Sequence, residues 1–207
     1  MYDSEIHHRR SIRVKGYDYA QDGAYFVTVC AHNRQNLFGE IANGEMELNE
    51  AGKMVRDCWI DLKNRFSNIE IDEFVVMPKH FHGIIVICTV GAGLVPARIC
   101  SELSNGDNRL SDGLKTDNKN SGRAGTRPAP TNNNALCDII RVFKSLTTSE
   151  YIKNVKVGKF PAFKKSVWQR NYWEHIVRDG DDLNRVREYI VNNPINWEID
   201  ELYSRIS

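Results

Sequence analysis

The sequence has almost no charge imbalance: 28 Lys and Arg stand against 27 Asp and Glu in 207 residues, a formal net charge of +1. That excludes the global basic field by which many proteins gather on nucleic acid, so any affinity for DNA must come from local clusters. No stretch approaches the roughly 20 apolar residues of a membrane span. The N-terminal stretch MYDSEIHHRRSIRVKG also lacks the apolar centre of a signal peptide. A cytoplasmic protein with no membrane partner is expected. Cysteines are few and scattered: Cys30, Cys58, Cys88, Cys100 and Cys137 are odd in number and form no CxxC pair, which argues against a disulfide framework and for reduced thiols. With 41% hydrophobic residues, the chain can bury one core and gives no strong case for two. A single domain over residues 1–207 is expected.

Regular patterning surrounds one poor region. AYFVTVC, residues 24–30, is rich in β-branched and aromatic residues and reads as a buried strand. Asn43-Gly44 predicts a small hairpin. Asn49 is placed to cap a helix in which Ala51, Met54, Val55, Cys58, Trp59, Leu62 and Phe66 recur at three- and four-residue spacing, ending near Ser67-Asn68. IEIDEFVVMP and HFHGIIVIC are two extended stretches joined at Met77-Pro78-Lys79. Residues 91–134 turn abruptly to Gly, Asn, Ser, Asp and Pro, and are read as a mobile insertion. Helical spacing returns from Ala135 to about Asn154. VWQRNYWEHIVRD looks extended, and a last helix starts at Asp181 or Asp182 and is stopped by Pro194. Strand, hairpin, helix, two strands, insertion, helix, strand, helix is the order of an α+β, ferredoxin-like antiparallel sheet with helices packed on one face.

Two groups of residues carry chemistry. His80 and His82 are two apart on a predicted strand, so both imidazoles leave from one face and can chelate one ion. Taken alone, such a pair is equally well two polar residues on a sheet. Tyr189 and Asn193 are four apart on the last helix and share one flank, beside a buried stripe of Leu183, Val186 and Ile190. Each alone is an ordinary residue, a half-buried aromatic and a helix-end amide. Together the four supply a Lewis-acid site, a nucleophile and a third ligand. Glu174 and His175 have no partner in the sequence that defines a role, and are read as supporting the fold or contacting DNA.

The strings VVMPKHFHGIIVI and YWEHIVRDGDDLNRVREYIVNNP resemble the two signature blocks of REP-associated tyrosine transposases, a branch of the HUH single-strand transposase and endonuclease superfamily. The opening SIRVKGYDYAQDGAYFVTVC resembles that family too, so the likeness spans nearly all of the chain except the insertion. The resemblance implies that His80 and His82 are metal ligands for Mg²⁺ or Mn²⁺, that Asn193 is a third ligand, and that Tyr189 is the nucleophile. It further implies nicking and rejoining of single-stranded, hairpin-forming, REP-like palindromic DNA through a 5′-phosphotyrosine, by a nucleoid-associated monomer or homodimer. Two other readings compete with it. One is a domesticated protein that binds palindromic repeats without cutting them, and the other is a metallohydrolase with no need of Tyr189.

Basic residues suggest where DNA would run. Arg9, Arg10, Arg13 and Lys15 form an N-terminal cluster that could follow phosphates or simply be solvated charge. Lys164, Lys165 and Arg170 are interleaved with Phe163, Trp168, Tyr172 and Trp173, a combination suited to unpaired bases, although some of those aromatics must belong to the core. Within the insertion, GAGLVPA (residues 91–97) and AGTRPAP (residues 124–130) can be encoded by complementary nucleotide strings. The insertion therefore reads as the translation of an inverted repeat lying inside the gene, a passenger in the protein.

Overall fold

The computed structural model describes residues 17–88 and 135–199. Four strands form the main sheet: β1 (Gly23–Cys30), β4 (Ile69–Met77), β5 (His80–Ile87) and β6 (Trp173–Val177). A separate two-stranded hairpin, β2 (Gly39–Ala42) with β3 (Glu45–Leu48), lies between the first two of these in sequence. Asn43 and Gly44 at its tip both have positive φ, 54° and 79°, the backbone that the Asn-Gly pair allows. The helices are α1 (Glu50–Ile60), the single turn α2 (Leu62–Arg65), α3 (Leu136–Lys156) and α4 (Gly180–Asn192).

The sheet order is β4-β5-β1-β6 with every neighbouring pair antiparallel. The chain passes from β1 through α1 to β4, and from β5 through α3 to β6. Each crossover skips one strand, which is then filled by an antiparallel one, and two such split units make the ferredoxin-like α+β sheet.

Alternation along the strands divides the side chains between two cores. Tyr25, Val27, Val29, Phe81, Ile85 and Ile87 face α1 and α3, where Trp59, Ile140 and Phe143 complete the larger core. Ala24, Ile84, Val86 and Val177 face the other way and are covered by Leu183 and Ile190 of α4. The two crossover helices thus share one face, and the last helix lies over the opposite one. The face under α4 is the one that carries the histidines.

Several local expectations meet the structure closely and others shift. Asn49 caps α1, its Oδ1 accepting the Gly52 amide at 2.9 Å. The helix expected to reach Ser67-Asn68 breaks at Asp61 and ends with Arg65 at the close of α2, Phe66 being extended. The last helix starts earlier than expected, because Asp179 is its cap: Asp179 Oδ1 accepts the Asp182 amide at 2.8 Å. Pro194 does not force the preceding residue out of helical geometry, since Asn193 stays at φ −61°, ψ −40°. The helix closes instead by a tighter turn, the Asn193 amide reaching Ile190 O at 3.3 Å. Of the stretch expected to be extended before it, only Trp173–Val177 joins the sheet as a strand, with Trp168 making an isolated bridge to Ala31.

The four cysteines among the described residues, Cys30, Cys58, Cys88 and Cys137, are free thiols. Among the described residues no helix is long and apolar enough to cross a membrane. The basic cluster Arg9, Arg10, Arg13 and Lys15 and the whole of the 91–134 insertion lie outside the described residues.

Candidate active site

β5 opens with His80 and places His82 two residues on, so both rings rise from the same face, their centroids 4.4 Å apart. Both residues are buried, each 1% exposed. The intervening Phe81 points the other way, into the larger core against Trp59 and Phe143. That burial fixes the strand's register and with it the direction of the histidines.

His82 is held on three sides. Its Nδ1 lies 2.8 Å from Thr28 Oγ1, on the residue opposite it in β1. Phe26, also from β1, stacks on the ring at 5.3 Å with planes 23° apart. Its Nε2 faces the Tyr189 hydroxyl at 3.4 Å, across 107 residues of sequence. Burial, and secondarily the charge of His80, push the His82 pKa well below its ordinary value, so the ring is neutral at physiological pH. A neutral imidazole steered through one nitrogen by a hydroxyl presents the other as a donor.

Tyr189 is 45% exposed, so one side of the ring meets solvent while its hydroxyl faces His82. Phe26 supports the ring edge-on at 5.9 Å. The helix beneath it is pinned by Arg187, whose guanidinium grips the Asp72 carboxylate with two hydrogen bonds, one of 2.9 Å from Nε to Oδ1. Asp72 can reach because β4 bulges: between the pairs Ile71↔Ile85 and Phe74↔Gly83 two residues stand opposite one, and such a bulge re-aims a side chain. Burial raises the Asp72 pKa, but the hydrogen bonds from Arg187 and the Glu73 amide outweigh it and hold the carboxyl below its usual range.

Asn193 lies one turn beyond Tyr189 and is 2% exposed at the end of α4. After it the chain turns so that Trp197 sits against His80, ring centroids 5.7 Å apart, with the buried Lys79 ammonium 5.1 Å from the Trp197 ring. Among the described residues, no three His, Cys, Asp or Glu side chains gather where they could hold a metal ion. The donors that the structure shows side by side at this face are the two imidazoles of His80 and His82.

Lys165 and Arg170 do not line this site. They border a cleft with His32, Lys144 and Trp168 on the α3 side of the sheet. That cleft lies where the chain before β6 runs beside the end of β1, the Gln169 amide reaching Cys30 O at 2.9 Å. Lys144 donates to the carbonyls of Gln169 and Arg170 at 2.6 and 2.9 Å, and burial pushes its pKa down to about 8. Lys164 is exposed outside the cleft. Of the interleaved aromatics, Trp168 and Tyr172 are buried and Trp173 is open to solvent.

His175 and Glu174 point to opposite faces. His175 Nε2 lies 2.8 Å from Asp182 Oδ2, and that carboxylate also takes the Arg178 amide and an Arg185 guanidinium hydrogen bond. The group ties β6 to the start of α4. Sequence reasoning missed Thr28, Phe26, Asp72 and Arg187 as site residues. Their roles come from pairing across the sheet, which no local pattern announces.

No family model matches the chain. It is similar to a solved structure of a REP-associated tyrosine transposase bound to a REP hairpin, 20% identical, with a TM-score of 0.47 and coverage of 89% of this chain and 73% of that one. A solved structure from Deinococcus radiodurans is 13% identical with a TM-score of 0.43, covering 87% of this chain and 95% of that one. A protein of Haemophilus influenzae, itself uncharacterized, is 41% identical over 204 residues, 98% of this chain and 97% of the relative. At that identity and coverage, the chain belongs to one family with the Haemophilus influenzae protein.

Proposed function

We propose that the chain is a REP-associated tyrosine transposase, an endonuclease and strand transferase acting on single-stranded, hairpin-forming DNA with Tyr189 as nucleophile. The observation that carries this reading is the 3.4 Å approach of the Tyr189 hydroxyl to His82 Nε2, on a face where His80 stands beside His82 and both are buried. A tyrosine serving only as packing has no need to keep half its surface in solvent while its hydroxyl meets a neutral imidazole.

The residues fit a divalent ion. The donor set is two imidazoles and an amide oxygen, with His82 kept neutral and turned through Thr28. His80, His82 and Asn193 would hold Mg²⁺ or Mn²⁺, which when bound supplies positive charge against the scissile phosphate. The tautomer of His82 that offers Nε2 carries its proton on Nδ1 and donates it to Thr28 Oγ1.

Tyr189 supplies the covalent chemistry. Its phenol oxygen forms a bond to phosphorus as the bond from phosphorus to the 3′ oxygen breaks, leaving a 5′-phosphotyrosine and a 3′-hydroxyl. A phenol has an ordinary pKa of about 10, so the hydroxyl loses its proton to solvent as it attacks, and the departing oxygen takes one up. Attack by another 3′-hydroxyl reverses these bonds and joins strands with no external energy source. Arg187 and Asp72 keep the nucleophile over the histidines, and Lys165, Arg170 and the N-terminal basic residues would meet the DNA backbone away from the reacting phosphate.

Incubation with Mn²⁺ and end-labelled hairpin oligonucleotides tests this directly. A covalent protein–DNA adduct is expected from the wild type, while Tyr189→Phe forms none and binds as before. Binding without any adduct would identify a DNA-binding protein that has lost its chemistry, and metal-dependent turnover that survives Tyr189→Phe would identify a hydrolase.

A further inference from the structure

One row of side chains crosses the site face from strand to strand. Val75 of β4 stands opposite His82 of β5, His82 opposite Thr28 of β1, and Thr28 opposite Trp173 of β6. Directly opposed residues in antiparallel strands leave from the same face. Trp173 therefore shares the face of His82 two strands away, about 10 Å at the usual spacing of ~4.8 Å between strands.

Part of that face is covered by α4. Val177, at the far end of β6, packs under Leu183 and Ile190, and α4 continues toward β4, where Arg187 meets Asp72. The Trp173 corner is left open: its side chain is 64% exposed, whereas Trp59, Trp168 and Trp197 are at most 8% exposed. β6 is an edge strand, so a ligand can approach Trp173 from the side as well as from above. His175, its neighbour on the same face, is engaged with Asp182.

We propose that Trp173 is a stacking platform for an unpaired nucleobase of single-stranded DNA, next to the phosphate presented to Tyr189. This rests on the reading of the site as a DNA nuclease. A flat indole beside a phosphate-reacting centre matches what single strands offer, a π-face on every nucleotide regardless of sequence. Arg170 and Lys165, three and eight residues before Trp173 in sequence, border the cleft on the α3 side of the sheet. A strand that leaves Trp173 and turns around the β6 edge would meet those cations with its more distant phosphates. Holding one base fixes the register of the adjacent phosphate, so the platform helps choose which bond Tyr189 attacks.

The test uses full-length protein and hairpin oligonucleotides with single-stranded flanks, 2-aminopurine replacing each flank base in turn. Wild type is expected to quench the probe strongly at one flank position. Trp173→Ala should lose that quench and bind roughly tenfold more weakly, while Trp173→Phe keeps most of both and all three proteins unfold at the same temperature. If Trp173→Ala quenches and binds like wild type while wild type still forms the Tyr189 adduct, the platform is wrong and the nuclease reading survives. Equal losses in the alanine and phenylalanine variants would also overturn it, because the ring is retained in one of them. A wild-type protein that neither binds nor reacts with any of these oligonucleotides overturns both readings.

Discussion

Thr28 illustrates how much a single hydroxyl can decide. It is 7% exposed and its Oγ1 meets His82 Nδ1, so it selects which nitrogen of the ring faces Tyr189. Thr28→Val keeps the shape and removes the partner. With the hydrogen-bond partner of the proposed metal ligand gone, Mn²⁺ affinity measured by calorimetry and the rate of adduct formation should each fall about 10–100-fold, with the unfolding temperature little changed. An unaltered affinity and rate would mean that the ring is oriented by Phe26 alone. Gly83, the residue after the pair, makes a different demand. A Cβ there would stand 2.6 Å from Trp59 Cζ2 and 2.9 Å from the Phe81 ring, all parts of the crowded core that sets the strand's register. Gly83→Ala should cost about 1–3 kcal/mol in chemical denaturation, the usual penalty of overpacking. A cost near zero would show that Trp59 can retreat.

Among the elements, α4 is bound to the sheet at both halves. Asp182 gathers His175, Arg178 and Arg185 at its start, and Arg187 reaches Asp72 near Tyr189. Burial works against ionisation at both carboxylates, but their hydrogen bonds win and both pKa values lie below the ordinary carboxylate range. A depressed carboxylate stabilises the fold fully above its unfolded pKa, near 4, and loses that contribution as pH falls through the lower folded value. Thermal stability should therefore not vary with pH through these two groups near neutrality, where their contribution is fully present, and should decline below about pH 4. Asp72→Asn should flatten part of that decline and lower stability at pH 7 by about 1–3 kcal/mol, the cost of breaking a charge-assisted pair in a partly buried setting. Adduct formation should slow as the tyrosine helix loosens. The helix itself was legible in the sequence through Leu183, Val186 and Ile190, and so was the shared face of His80 and His82. The bulge at Asp72 and Glu73 was not, because IEIDEFVVM reads as one continuous strand until its pairing with β5 is known. The early start at Asp179 was hidden for a similar reason, three aspartates in a row of four residues offering competing caps.

For the whole molecule, the order of elements was enough to give the ferredoxin-like sheet, since two helices each separating strands, with a strand pair between, leave few other arrangements. What order alone could not give is the division of labour between the faces: α1 and α3 build the larger core, and α4 packs on the face that carries the histidines. The stems of the 91–134 segment follow from the same topology. Cys88 follows the end of β5 opposite His80, and Leu136 hydrogen-bonds Tyr19, just before the start of β1 that pairs with that same end. Replacing residues 91–134 by a short Gly/Ser linker should leave the unfolding temperature and adduct yield close to wild type. A loss of either would show that the segment is more than a passenger. The 107 residues between His82 and Tyr189 have a consequence for the timing of synthesis. A ribosome delivers the imidazoles long before the phenol, so on the proposed reading a nascent or prematurely terminated chain would carry no nucleophile. Strand breakage would be confined to finished molecules, and the genome would be spared the fragments.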